Sequence, residues 1–579
     1  MPLVPGLVFL LYFFCYPVGQ LLWLSFTTRA GAFATDQYVR LFTSPLYLAV
    51  MANTFKISLL VAVLCVLLGY PVAYYLANAT PQRRAQLIIW VLVPFWTSFL
   101  VRAFAWMVLL AHNGPITNVV NWALGADPPV KLLYNFFGTM VGTTQALLPM
   151  AILVMTSVMQ GIDTNLVKAA ATLGGRPGQG FWRIYFPLSF PGVAAAGLLT
   201  FITSLGFFIT PALLGSPRET MIAQMILTQV QELLNWRFAG AISLLLLALA
   251  LIVFALYDRL TGLSESGAAE RTAGHRRGLI SGIAAGLGGL LLSALGRLSD
   301  VVAQAAERLV PPRGDRPRRQ PGGMVLKLVV GLMLVFLVAP ALVVIPVSFT
   351  AGAFIELPPA GFSLRWYQAY LGSSVWVGAT IVSLVVGVVA GLLTTIIGTA
   401  AAFVLVRARF FGKQAVLALF LAPLIIPRII IAVALFYLFA RLGLVGTAAA
   451  LVIGHTVLAL PFVVVTVMSV LKSYDDRYDQ AALTLGATPA RTLRHVTLPL
   501  ISPGIIAAFL FGFVTSFDEL TIALFVSAGT VTTLPKMMWS DLILQVNPTL
   551  AAVSSVILVL ASAIVLGAEA IRRRQAATR

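Results

Sequence analysis

The chain has 579 residues, 60% of them hydrophobic and 10% charged, with a net charge of +19. A soluble domain is about 45–50% apolar and about 25% charged, so a water-soluble enzyme is excluded and an integral membrane protein with many spanning helices is implied. The positive charges sit in short runs between apolar stretches, a pattern of membrane topology and not of a nucleic-acid-binding face. A span needs about 20 apolar residues. In chain order such segments run over 3–26, 54–78, 86–111, 136–160, 187–212 and 238–257, then over 325–349, 376–406, 414–440, 445–471, 500–526 and 549–571. The expected fold is an all-α integral membrane bundle of about twelve transmembrane helices. The first run starts at Met1 with no Lys or Arg before it and no small-residue cleavage site after it, so it reads as a retained helix. Cys15 and Cys65 both lie in apolar runs and read as small hydrophobes.

Charge orients the bundle. With the N-terminus cytoplasmic, 27 of the 38 Lys and Arg residues fall in cytoplasmic loops and seven in outer loops. The other four, Lys56, Arg102, Arg428 and Arg441, lie in or beside spans. The positive-inside rule therefore places both termini in the cytoplasm. Residues 263–323 differ in composition and end in the basic run "PPRGDRPRRQPGG", which reads as a cytoplasmic linker. It divides the chain into a first half, 1–262, and a second half, 324–579. The apolar stretch 279–297 inside it reads as an interfacial or flexible Gly-rich segment, since an extra span would turn Arg407, Arg409, Arg491 and Arg494 outward.

The halves repeat. Residues 169–192 read "AAATLGGRPGQGFWRIYFPLSFPG" and residues 481–504 read "AALTLGATPARTLRHVTLPLISPG", at an ungapped offset of 312. The same offset relates Asp163 to Asp475, Gly142 to Gly454 and Pro149 to Pro461. Both copies lie between the fourth and fifth spans of their half. Equal orientation makes this a parallel repeat of two six-helix units. Each loop predicts a short Ala/Leu helix with Asp163 or Asp475 near its start, where a carboxylate caps free amides. Gly174 or Gly486 follows as a left-handed C-terminal cap. A small-faced helix in a cytoplasmic loop, present twice, is suited to docking a partner.

These residues resemble the EAA loop of permease subunits of type I ABC importers. Ala169, Ala170 and Gly174, then Ile184 and Pro187, follow the family pattern; so do Ala481, Ala482 and Gly486, then Val496 and Pro499. The family's leading Glu is Lys168 in one copy and Gln480 in the other. Two such loops imply a fusion of two permeases in one chain. The stretches "LVPFWTSFLVRAFAWMVLL" and "NGPITN" resemble the first permease of the spermidine/putrescine group; "FVTSFDELTIALFVSAG", "TLPKMMW" and "NPTLAAVSS" resemble its second. The resemblance implies a bacterial inner-membrane permease of a polyamine-type importer. Its partners would be two copies of a cytoplasmic ATPase, docked on 163–186 and 475–498, and an extracytoplasmic solute-binding protein. ATP and Mg would belong to the ATPase.

No G-x-x-x-x-G-K-[ST] run occurs in the chain, so it carries no P-loop. None of His112, His275, His455 and His495 stands at metal-ligand spacing from another, so no metal, cofactor or catalytic set is expected. Ionisable residues inside a span are functional candidates. Asp518 and Glu519 lie in the otherwise apolar fifth span of the second half, where the repeat places Gly206 and Phe207 in the first. They either face a cationic solute or pair with Arg428 or Arg102. Arg102, between Trp96 and Trp106, either lines the pathway or anchors a helix at the outer interface. His455 is expected as a hydrogen-bonded packing residue. A secondary carrier of twelve spans would also explain the span count and the repeat, though not why the similarity peaks in a loop.

Overall fold

The computed structural model describes residues 2–261 and 323–577, apart from 126–127, 175–176, 356, 360, 530 and 545–546, together with residues 297 and 301. The linker reading of 263–323 and the segment 279–297 therefore lie almost wholly outside the described residues. The first half runs through α1 (Val4–Leu24), α2 (Asp36–Thr43), α3 (Pro45–Asn78), α4 (Pro81–Trp96), α5 (Phe99–Leu110), α6 (Pro115–Leu124), α7 (Phe136–Gln160), α8 (Asn165–Thr172), α9 (Phe186–Leu205), α10 (Ile209–Leu214), α11 (Ile222–Gln231) and α12 (Trp236–Thr261). The second runs through α13 (Gly323–Ser348), α14 (Arg365–Gly372), α15 (Ser374–Arg407), α16 (Lys413–Ile425), α17 (Arg428–Leu442), α18 (Ala448–Lys472), α19 (Arg477–Thr484), α20 (Leu498–Phe517), α21 (Thr521–Val526), α22 (Leu534–Leu544) and α23 (Pro548–Ala577). Beyond helices, the described residues show isolated bridges such as Thr27 to Phe33 and Thr350 to Phe362, each closing the loop after the first helix of its half.

The repeat holds in three dimensions. Helices α7, α8, α9 and α10 coincide with α18, α19, α20 and α21 at an offset of 312. Helices α2 and α3 coincide with α14 and α15 at an offset of 329. The difference falls in the connection between α5 and α7, which holds α6 and has no helical counterpart in the second half.

Local chemistry sets these elements. Pro45, Pro81, Pro115 and Pro548 open helices at a position where no amide partner is required. Asn135 accepts from the Gly138 amide at 2.9 Å to start α7, and Thr447 accepts from Ala450 at 3.2 Å to start α18. Gly142 and Gly454 are packing glycines: a Cβ on the first would run into Leu214 and Thr210, and on the second into Ile522 at 2.9 Å.

Ten stretches among the described residues are long and apolar enough to cross a bilayer, or eleven with α16 and α17 counted as one bent span. The last apolar run falls on α23, whose described apolar part, Pro548–Leu560, is shorter than a span. Several runs that read as continuous are broken. The run 86–111 divides at Thr97–Ser98, and 414–440 divides at Ile426–Pro427, where α16 and α17 meet at 99°. The runs 187–212 and 500–526 divide after Leu205 and Phe517. Asp518 and Glu519 thus sit at a helix break and not in mid-span. Hydropathy is blind to such breaks because both arms are apolar.

The first helix of each half crosses over. Helix α1 packs on α15, α16, α17 and α18, and α13 packs on α3, α4, α5 and α7. The Gln145 side chain donates to the Leu337 carbonyl at 2.8 Å, and Trp106 packs on Phe336 with ring centroids 5.5 Å apart.

Candidate translocation site and loop helices

The breaks meet between the halves. Thr97 turns its hydroxyl back to the Val93 carbonyl at 2.8 Å, and the Ser98 hydroxyl caps α5 by accepting from the Leu100 amide at 3.3 Å. Pro427 opens α17 in the other half. Each break faces the other half's chain turn. A Cβ on Gly206 would lie 2.9 Å from the Pro427 Cβ. At the equivalent turn, Asp518 lies against the Ser98 hydroxyl and the Phe99 amide, with the Arg102 and Arg428 guanidinium groups within electrostatic reach. Asp518 also lines a narrow cleft with Trp96, Ser98, Phe513, Phe517 and Met538.

Glu519 points elsewhere. It is 2% exposed, and its Oε2 accepts from the amides of Ile522 at 2.8 Å and Ala523 at 3.3 Å, closing the first turn of α21. The same oxygen lies 3.5 Å from the His455 Nε2, while the His455 Nδ1 is 2.7 Å from the Ser516 hydroxyl. His455 is thus the hydrogen-bonded packing residue that its position suggested, with Glu519 as a further neighbour.

Arg102 is 2% exposed. It donates to the Ala146 carbonyl of α7 at 3.0 Å and lies over the Phe99 ring at 4.6 Å, so the structure holds it inside the bundle. Its Nε has no partner among the described residues.

The two loop helices lie apart from this site. Neither α8 nor α19 contains a buried residue. Asp163 accepts from the Asn165 amide at 2.9 Å and Asp475 from the Arg477 amide at 3.0 Å, as their positions before the helices suggested. Lys168 reaches Asn165 at 3.4 Å. Lys168, Ala169, Gln480 and Ala481 are exposed, and Ala170 and Ala482 are half-buried. Gly174 and Gly486 have φ of +83° and +85°, the left-handed conformation that ends a helix. Beyond Gly486 the Ala487 amide returns to the Ala482 carbonyl at 3.0 Å. Leu173 and Leu485, 89% and 88% exposed, project at equivalent points.

One cluster escaped the sequence reading. Asp479 Oδ1 accepts from the Tyr474 hydroxyl at 2.6 Å and the Thr497 hydroxyl at 2.8 Å. Asp479 Oδ2 lies 2.7 Å from Arg407 Nη2. Burial works to raise the Asp479 carboxyl, but the Tyr474 and Thr497 hydrogen bonds and the Arg407 charge outweigh it and hold it below its ordinary value. Burial together with the Asp479 carboxylate pushes the Tyr474 hydroxyl up to about 12. Arg407 reads from the sequence only as a topology charge; its place at the end of a long helix was the available signal.

Among the described residues no group of three or more His, Cys, Asp or Glu is placed to hold a metal ion.

Comparison with known proteins agrees with this architecture. The family described as binding-protein-dependent transport system inner membrane component matches residues 66–265 and again 394–575. The spermidine/putrescine transport system permease protein PotB of Haemophilus influenzae is 32% identical over 256 residues, covering 43% of this chain and 89% of that protein. The putrescine transport system permease protein PotI of Escherichia coli K12 is 36% identical over 230 residues, covering 38% of this chain and 82% of that protein. A solved bacterial alginate ABC transporter, in complex with an alginate pentasaccharide-bound periplasmic protein, aligns with a TM-score of 0.40 and 20% identity. That alignment covers 45% of this chain and 92% of the other. PotB and PotI are each matched over most of their own length by less than half of this chain, while the family matches twice. The chain therefore belongs to the binding-protein-dependent transport system inner membrane component family, as two ABC-importer permease domains fused in one polypeptide.

Proposed function

We propose that the chain forms the translocation pathway of an ATP-driven importer for a cationic amine of the polyamine class. The observation that carries this reading is Asp518: its carboxylate lines a cleft beside Trp96, Phe513 and Phe517, at the point where a helix break of one half meets a chain turn of the other. A carboxylate in a low-dielectric site favours a cation over a neutral or anionic solute, and aromatic faces attract ammonium groups. The relatives named as polyamine permeases support the same class. Glu519, tied into α21, serves this site by holding the turn. Arg102 and Arg428 set its field, balancing the carboxylates when no solute is present.

In this reading the termini are cytoplasmic, two copies of an ATPase dock on 163–186 and 475–498, and a solute-binding protein delivers the amine from outside. The domains are 1–262, the linker 263–323, and 324–579. A secondary carrier is disfavoured by the family to which the chain belongs.

The test is uptake of labelled putrescine by cells lacking other polyamine carriers. Asp518→Asn is expected to lower uptake at least tenfold, because the variant removes the charge and keeps the shape, while the ATPase still co-purifies. Uptake at the parental level would show that Asp518 does not meet the solute.

A further inference from the structure

Helices α8 and α19 share their capping and their glycine stop, but their bases differ. In the second half one carboxylate gathers three helix ends. Asp479 in α19 receives Arg407 from the end of α15, Tyr474 from the turn after α18 and Thr497 from the turn before α20. Arg407 also reaches Asp476 at 3.5 Å and lies over the rings of Phe403 and Tyr474 at 5.4 and 5.6 Å. The Asp479 side chain is 13% exposed, in a helix most of whose other residues are exposed.

The equivalent positions in the first half are Asn78, Val167, Ile162 and Tyr185. There Asn78 donates to the Tyr185 hydroxyl at 3.1 Å. Val167 packs against Gly180; next in the chain Phe181 stacks with Tyr185, and Tyr74 meets both rings edge-on. Among the described residues, that base holds its helix by apolar contact, which is non-directional. The second base uses charge-assisted hydrogen bonds of fixed geometry.

We propose that Arg407 and Asp479 clamp α19 to the end of α15, so that the second loop and that long helix move as one body when the ATPase closes, whereas the first loop has a softer attachment. The clamp rests on the reading of both loops as ATPase docking sites. Arg407 and Asp479 are positioning residues: they touch neither solute nor nucleotide, and they act by fixing the loop that meets the ATPase.

The test uses the complete complex in proteoliposomes, with its ATPase and binding protein. Leu173→Cys or Leu485→Cys reports docking of each loop by cross-linking to the ATPase, and uptake of labelled putrescine is measured per ATP hydrolysed. Asp479→Asn and Arg407→Gln are each expected to lower uptake per ATP about fivefold, the scale of losing one charge-assisted pair. The double variant is expected to be no worse than either single one, with the Leu173→Cys cross-link retained throughout. Asn78→Ala, at the position equivalent to Arg407, is expected to leave uptake per ATP at the parental level. Unchanged uptake per ATP in both charge variants, with both cross-links intact, overturns the clamp and leaves the docking reading standing. Loss of both cross-links in those variants also overturns it, since a local clamp leaves the first loop seated. Absence of either cross-link in the parent complex removes the docking reading, and the clamp with it.

Discussion

At Asp518 and Glu519 two adjacent carboxylates meet opposite surroundings. The chain turns between α20 and α21, so one side chain enters the cleft between the halves and the other folds onto the free amides of α21. A buried carboxylate without partners is costly, and Glu519 offsets part of that cost through two amide donors and a nearby imidazole on its Oε2, while its Oε1 has no partner among the described residues. Removing it strands those amides, a loss of about 2 kcal/mol. Glu519→Ala is therefore expected to lower the midpoint of thermal aggregation in detergent by several degrees, and Glu519→Gln, which keeps an acceptor oxygen, by much less. Equal losses in the two variants would show that the charge and not the cap holds the turn. The two acids were legible in the sequence as a pair in an apolar run. Their separation was not, because it depends on a helix break that apolar residues on both sides conceal.

The loop helices were legible as elements because their signals are local: a capping Asp, an Ala-rich turn and a terminal glycine recur at one offset. What lay beyond the sequence was the company they keep. Nothing near Asp479 announces Arg407, which lies 72 positions earlier in the chain at the far end of a 34-residue helix. The paired breaks at Ser98 and Pro427 carried signals in Pro94 and Pro423, but a proline inside a span also occurs without a break, as Pro71 does within α3. The glycine stops lend themselves to measurement. Among the described residues, chain neighbours apart, no atom lies within 4 Å of a Cβ built on Gly174 or Gly486, so a side chain there meets backbone strain and no clash with them. That strain is about 1–2 kcal/mol. Gly174→Val and Gly486→Val are expected to leave the bundle folded while weakening ATPase co-purification severalfold, with the double variant weaker than either. Normal retention of the ATPase by the double variant would take docking away from these turns.

The crossing of α1 and α13 binds the halves into one body. Each first helix lies against spans of the other half, so a half on its own would leave a face of those spans without its cover. Fusion in one chain supplies both halves in equal number, and each half presents one exposed loop helix. The residues lining the cleft also come from both halves, with Trp96 and Ser98 from the first and Phe513 and Asp518 from the second. A second copy of the chain would duplicate surfaces already paired within the first and would bring two further loop helices with no ATPase to receive them. The complex is therefore expected to hold one copy of this chain and two copies of the ATPase. Native mass spectrometry of the complex extracted from membranes measures this directly: a mass of one chain plus two ATPases is the expected result, and two chains per ATPase pair would mean that the halves of one chain do not complete a pathway together.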